Sequence, residues 1–246
     1  MRAQAANLDP LEPEALTGLG DAHVIALTDP DCRLHPAAAT ALLQMRSAAA
    51  DVGIDLTPVS SFRSFDQQLH IWNDKFQGRR PLLSRDGQPV DASSLDADDR
   101  VSAILLWSAL PGASRHHWGS DCDVIDRSAL AAGERVQLLP AEYAVGGRYE
   151  VLEAWLALNA ADFGFFRPYD LDRGGVQPEP WHLSFAPLAA AALPALSVEL
   201  LADALGSAQM EGLDAVLARL PELHARFVLA VAAAPERALA AAALRR

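Results

Sequence analysis

Along PAAATALLQMRSAAADVG (residues 36–53) alanine and leucine fall on one helical face, and Gly53 stands where a C-cap belongs, so the pattern predicts a helix. The next stretch, IDLTPVSSFRS, is short and β-rich, with Pro58 arguing for an edge or irregular strand that delivers Arg63 to its end. Ser64 followed three residues later by Gln67 is the capping-box pattern, and it opens a helix over SFDQQLHIWNDKF. The segment 77–99 has no sustained period and is rich in Gly, Pro, Asp and Ser. It reads as a long loop or a small hairpin around Asp86 and Gly87, and loops of that length often form lids or substrate walls. RVSAILLWSALPG predicts a short buried helix stopped by Pro111 and Gly112, and helical spacing from Val151 to Leu158 predicts another with its stop at Gly164. RGGVQPEPWHLSF is turn-rich and then extended. Beyond Pro187 the chain turns to alanine and leucine, in amphipathic helices split by Gly206, Gly212 and Pro221 that carry no candidate chemistry.

Length and composition narrow the function classes. A chain of 246 residues supports one sizeable core, or one domain with an appendage, and 51% hydrophobic with 21% charged residues is the composition of a folded protein. A formal net charge of −12, without a basic run to offset it, disfavours nucleic acid and anionic lipid as partners. The first twenty residues lack the apolar centre of a signal peptide, and no stretch is long and apolar enough to span a bilayer, which sets a cytoplasmic expectation. Two cysteines, Cys32 and Cys122, are then expected as reduced thiols, and they suggest no thiolate metal site.

The densest chemistry is in SRHHWGSDCDVID, residues 114–126. A catalytic zinc typically takes three His or carboxylate ligands and keeps a position open. His116 and Asp123, separated by a glycine turn, could supply two if the chain folds back; the best third donor is the EPWH segment. Pro178 and Pro180 keep that segment out of a helix interior, so His182 can reach a metal while Glu179 serves as general base. Zinc lowers the pKa of a coordinated water to about 7, which makes hydroxide available near neutrality. Arg63 lies beside a helix N-terminus, whose amides and dipole already favour an anion.

The ordered motifs Ser114-x-His116-x-x-Gly119-x-x-x-Asp123 and Glu179-x-x-His182 resemble the signature of the VanY-type zinc D-alanyl-D-alanine and L,D-carboxypeptidases. SSFRSFDQQ is similar to that family's strand-to-helix element, and LNAADFGFFRPY to the helix before its EPWH strand; together the likeness spans about residues 36–185. The resemblance implies an α+β fold of the hedgehog/DD-peptidase kind, with a small antiparallel sheet flanked by helices and, here, a helical C-terminal appendage. The expected organisation is a lead-in over 1–35, the carboxypeptidase-like domain over 36–186 and the appendage over 187–246. It further implies zinc held by His116, Asp123 and His182, with Glu179 as base and Arg63 on the substrate's terminal carboxylate, helped by Gln68 and the Ser114 hydroxyl. Asp121 departs from the family pattern, which often has a small residue there; it could compete as a ligand or support His116.

The expected function is removal of a C-terminal D-alanine from peptidoglycan-derived peptides. L,D-cleavage of a tetrapeptide in cytoplasmic muropeptide recycling is the first reading. D,D-carboxypeptidase or dipeptidase activity is the runner-up, and a non-catalytic zinc-containing peptide-binding module is the rival from another class.

Overall fold

In the computed structural model, which describes residues 8–131 and 133–241, helix α1 (Pro13–Thr17) precedes a hairpin of β1 (Ile25–Thr28) and β2 (Asp31–Leu34). Helix α2 (Pro36–Ala50) follows, and Gly53, at a φ of 84°, turns the chain into β3 (Leu56–Ser60). Ser64 then opens α3 (Phe65–Phe76) with a complete capping box. Its Oγ accepts from Gln67 N at 3.2 Å, and Gln67 Oε1 accepts from Ser64 N at 2.9 Å. The turn-rich stretch folds as a short hairpin, β4 (Leu82–Leu83) with β5 (Pro89–Val90), carrying Asp86 and Gly87 at its tip. Helix α4 (Ala97–Leu105) starts earlier than the apolar pattern alone indicates, because Asp96 accepts from Asp99 N at 2.8 Å and caps it.

The central sheet is completed by β6 (Asp121–Asp126), β7 (Phe165–Phe166) and β8 (His182–Phe185), with α5 (Pro140–Tyr143) and α6 (Glu150–Asn159) in the connection. Its order is β3-β6-β8-β7 with antiparallel neighbours, so β3 is an edge strand, where Pro58 is tolerated. The register sets Asp123 opposite His182 and Asp121 opposite Ser184. Side chains alternate along a strand, so these four polar residues share one face, while Cys122, Val124 and Leu183 turn to the other. That apolar face packs into one core cluster with Leu42 and Met45 of α2 and Leu152 and Leu156 of α6.

A second cluster is built around α3 and α4. Helices α7 (Ala186–Ala195), α8 (Val198–Leu205), α9 (Leu213–Leu223) and α10 (Glu236–Ala241) all contribute to it. Leu201, Leu205, Val216 and Leu220 join Phe65, Trp72, Val101 and Ile104, and Trp72 Nε1 donates to Glu211 O at 2.9 Å. The C-terminal helices thus back α3 directly. Pro221 does not divide them: α9 runs through it to Leu223, and the turns widen only beyond it, over His224–Leu229.

Leu201 is fully buried in this second cluster, so Leu201→Ala should lower the unfolding free energy by about 2–5 kcal/mol in urea titrations. A loss below about 1 kcal/mol would mean that α8 is peripheral to the fold.

Candidate metal centre

Residues 115–118 form a single 3-10 turn that ends at Gly119, with a φ of 66°. A side chain at Gly119 would put its Cβ 2.8 Å from the backbone nitrogen of His35, so this fold-back into β6 requires glycine. The fold-back brings His116 beside Asp123, and the β6–β8 register adds His182. One donor atom from each lies within 4.8 Å of the others, and all three side chains are buried.

The donor set suits zinc. His116 Nδ1 donates to the carbonyl of Ser61 at 2.8 Å, which fixes the tautomer and leaves Nε2 as a lone pair 3.5 Å from Asp123 Oδ2. His182 Nε2 donates to Asp121 Oδ2 at 2.8 Å and turns Nδ1 inward, 3.0 Å from Asp123 Oδ1. That Asp123 oxygen is buried without a properly aligned hydrogen-bond donor. Two donor atoms that close together yet misaligned with each other converge on a shared point, as ligands of one cation do. Two imidazoles and one carboxylate leave a fourth position open, the pattern of a catalytic and not a structural zinc site.

Asp121 is neither a member of this trio nor the support of His116. Its Oδ2 accepts from Arg115 Nε at 2.9 Å as well as from His182, and its Oδ1 accepts from the hydroxyls of Ser120 and of Ser184, the latter at 2.8 Å. Arg115 also donates to Ser184 Oγ at 2.6 Å and lies over the Trp118 ring. A buried carboxylate so fully engaged stays ionised: burial opposes its charge, but Arg115 and His182 overcome this and hold its pKa well below the usual range. His117 is a structural residue. Its Nδ1 donates to Arg63 O at 2.6 Å and its Nε2 accepts from Gly112 N at 3.1 Å, and burial pushes its pKa down to about 3.

The titratable groups differ in readiness. Burial lowers His116 to about 4, so it is neutral at physiological pH. His182 is opposite: burial disfavours its charge, but the hydrogen bond to Asp121 and the neighbouring Asp123 raise it to about 10. Asp123 stays below the ordinary carboxylate range because His116, His182 and Arg63 outweigh its burial. Glu179 lies on the turn before β8 with Oε2 3.5 Å from His182 Nδ1, and burial, reinforced by Asp123, raises its pKa to about 7. A carboxyl poised near neutrality can both take and return a proton.

These residues face a cavity of about 410 Å³. Arg63 lines it, donating through Nη1 to Gln68 Oε1 at 2.7 Å and through Nη2 to Ser60 Oγ at 3.2 Å. Ser114 also lines it, and its hydroxyl does not cap the turn that follows. Gln68 is buried behind Arg63, with its amide donating to Ala109 O at 2.7 Å, so it acts on the cavity by orienting the guanidinium. Tyr169, edge-on to His182 at 4.9 Å between centroids, is a wall residue that closes the LNAADFGFFRPY motif but has no role in the site on the motif reading, and Lys75 and Arg80 likewise have none there. Tyr169 follows Pro168 in a turn, and no local pattern distinguishes it from a core aromatic.

Two outcomes test the centre. Zinc must displace the proton that His182 holds, so binding should release about one proton, and affinity should rise about tenfold per pH unit between pH ~5 and ~9. The sign follows from a raised pKa: increasing pH strips the competing proton. Calorimetry in buffers of different ionisation enthalpy measures the release, and proton uptake would contradict the assignment. Asp121→Ala should weaken zinc binding about 10–100-fold in competition with a chromophoric chelator, because His182 loses the acceptor that orients it.

The family model described as VanY, D-alanyl-D-alanine carboxypeptidase, matches residues 31–188. An uncharacterised protein of Haemophilus influenzae is 34% identical over 131 residues, which is 52% of this chain and all of that protein. Among solved structures, VanYB in complex with D-alanine-D-alanine is similar over 75% of this chain and 90% of its own, at 21% identity and a TM-score of 0.50. A Zn(II)-bound mutant of the vancomycin-resistance D,D-pentapeptidase VanY is similar over 76% and 88%, at 22% identity and a TM-score of 0.50. At these identities the two structures show a common fold, and the match to the family model extends over well more than half the chain. The chain belongs to the VanY D-alanyl-D-alanine carboxypeptidase family.

Proposed function

We propose that this protein is a zinc carboxypeptidase that removes the C-terminal D-alanine of peptidoglycan stem peptides, with L,D-cleavage of the tetrapeptide as its preferred reaction. The observation that carries the reading is the convergence of three buried side chains with donor atoms within 4.8 Å beside a carboxyl held near pKa 7, in one cavity with the half-buried Arg63. Zinc held by His116, Asp123 and His182 supplies a Lewis acid that polarises the scissile carbonyl and acidifies water.

The chain's own residues do the rest. Arg63, fixed by Gln68 and Ser60, pairs with the terminal carboxylate of the peptide and so sets which amide lies beside the metal. Ser114 offers a hydroxyl to the same end of the substrate. Glu179 takes a proton onto its carboxylate as water oxygen bonds to the carbonyl carbon, and returns it to the amine nitrogen as the carbon–nitrogen bond breaks. The products are a shortened peptide and free D-alanine. A cavity of about 410 Å³ falls in the range that takes small-molecule ligands, enough for the C-terminal end of a peptide.

The test incubates the zinc-loaded protein with muropeptide tetrapeptide and pentapeptide and identifies released residues by mass spectrometry. D-Alanine from the tetrapeptide is expected. Release from the pentapeptide alone would make the enzyme a D,D-carboxypeptidase, and release from neither, with zinc bound, would leave a peptide-binding module. Glu179→Ala should retain zinc while kcat falls about 10²–10⁴-fold. Arg63→Ala should penalise peptides with a free C-terminal carboxylate far more than their amidated forms; equal loss on both would remove its assigned role.

A further inference from the structure

Lys75 lies one residue before the end of α3, at the opposite end of that helix from Arg63, yet both line the same cavity. A lysine in the last turn of a helix ordinarily extends into water while complementing the helix dipole. Lys75 is instead half-buried, and its ammonium has no hydrogen bond or ion pair among the described residues. Burial lowers its pKa to about 8, partly offset by the charge of Glu179. Arg80 borders the same space. Asp74 Oδ2 accepts from its Nε at 3.1 Å, which leaves both terminal nitrogens without a partner among the described residues.

The carboxylates on the cavity lining cannot neutralise this pair. Asp123 is a metal donor, and Glu179 is the group that exchanges a proton. Arg115, the other cation on the lining, is already matched by Asp121. One substrate carboxylate on Arg63 therefore leaves the Lys75 ammonium unmatched, and beside it Arg80 is only partly matched, because it shares Asp74 with Arg79. A desolvated ammonium with open donor capacity is costly unless an anion completes it.

We propose that Lys75 and Arg80 form a second anion subsite, which selects peptides whose residue on the N-terminal side of the scissile bond carries a free side-chain carboxylate. The proposal rests on the carboxypeptidase reading, which fixes the first carboxylate on Arg63. A diaminodicarboxylic residue such as diaminopimelate meets the requirement. Lysine, which lacks only the side-chain carboxylate, presents a bare ammonium that Lys75 and Arg80 repel.

The experiment compares two tetrapeptides that end in D-alanine and differ only in diaminopimelate or lysine before it, using the zinc-loaded full chain. The diaminopimelate peptide should be favoured at least about tenfold in kcat/KM, mainly through KM. Lys75→Met should bring the ratio to within about twofold, Lys75→Arg should retain most of it, and Arg80→Gln should reduce it in part. A wild-type ratio within twofold overturns the subsite. So does a Lys75→Met variant that slows both peptides equally, which would make Lys75 a positioning residue for Glu179. If the Met variant does not fold, as judged by circular dichroism, the Arg80→Gln ratio decides. If wild type cleaves neither peptide, the hydrolytic reading has failed on its own, and calorimetric Kd values for the same two peptides judge the subsite. A tenfold preference then supports it, and equal affinities overturn it.

Discussion

The site depends on the register between β6 and β8. Asp123 and His182 are direct cross-strand neighbours, as are Asp121 and Ser184, so one pairing sets both the ligand trio and the carboxylate that orients His182. A slip of β8 by one residue against β6 would turn His182 and Ser184 to the opposite face and bring Leu183 out of its apolar cluster. The hydrophobic face of the sheet is therefore what holds the polar face in place: the packing of Cys122, Val124 and Leu183 against α2 and α6 selects the only register in which the donors meet.

Electrostatics divides the centre into groups with separate tasks. Asp121 is matched by Arg115 and two hydroxyls and stays a permanent anion, which makes His182 more basic. Glu179, three residues before His182 and buried without such partners, is pushed in the other direction and held near neutrality. Two carboxylates within one site thus behave oppositely, because Asp121 is hydrogen-bonded by Arg115, His182 and two hydroxyls, whereas for Glu179 burial and Asp123 outweigh the nearby charges of His182, Lys75 and Arg63. Around them the protein gathers the cations Arg63, Lys75, Arg80 and Arg115 on one cavity although its net charge is −12.

Much of this was legible in the sequence because it is local. The capping box at Ser64 and Gln67 is a four-residue pattern, and it puts Arg63 at the helix start where the structure has it. The spacing from His116 through Gly119 to Asp123 encodes a fold-back that is short enough to read directly. What was not legible depends on distant pairing. Asp121 meets His182 across 61 residues, so the sequence suggested the nearer His116 as its partner. Lys75 has the spacing of any polar residue near a helix end, and only the placement of α3 against the cavity turns it inward. Pro221 looked like a break because its cost is local, whereas the core packing of Val216, Leu220 and Leu223 that holds α9 together around it comes from distant segments.

The two core clusters give the halves of the site different foundations. Asp123 and His182 stand on a sheet whose back packs against α2 and α6, while Arg63, Gln68 and Lys75 ride at and along α3, which α8 and α9 support from behind. Leu201, Leu205, Val216 and Leu220 share their cluster with Phe65, Trp72 and Phe76 of α3, while Cys122, Val124 and Leu183 of β6 and β8 lie in the other. The metal donors of the strands and the cations of α3 thus lean mainly on different sets of core side chains. Lineages sharing the same metal centre could thus diverge in the peptides they accept through changes in a C-terminal region that contains no chemistry of its own.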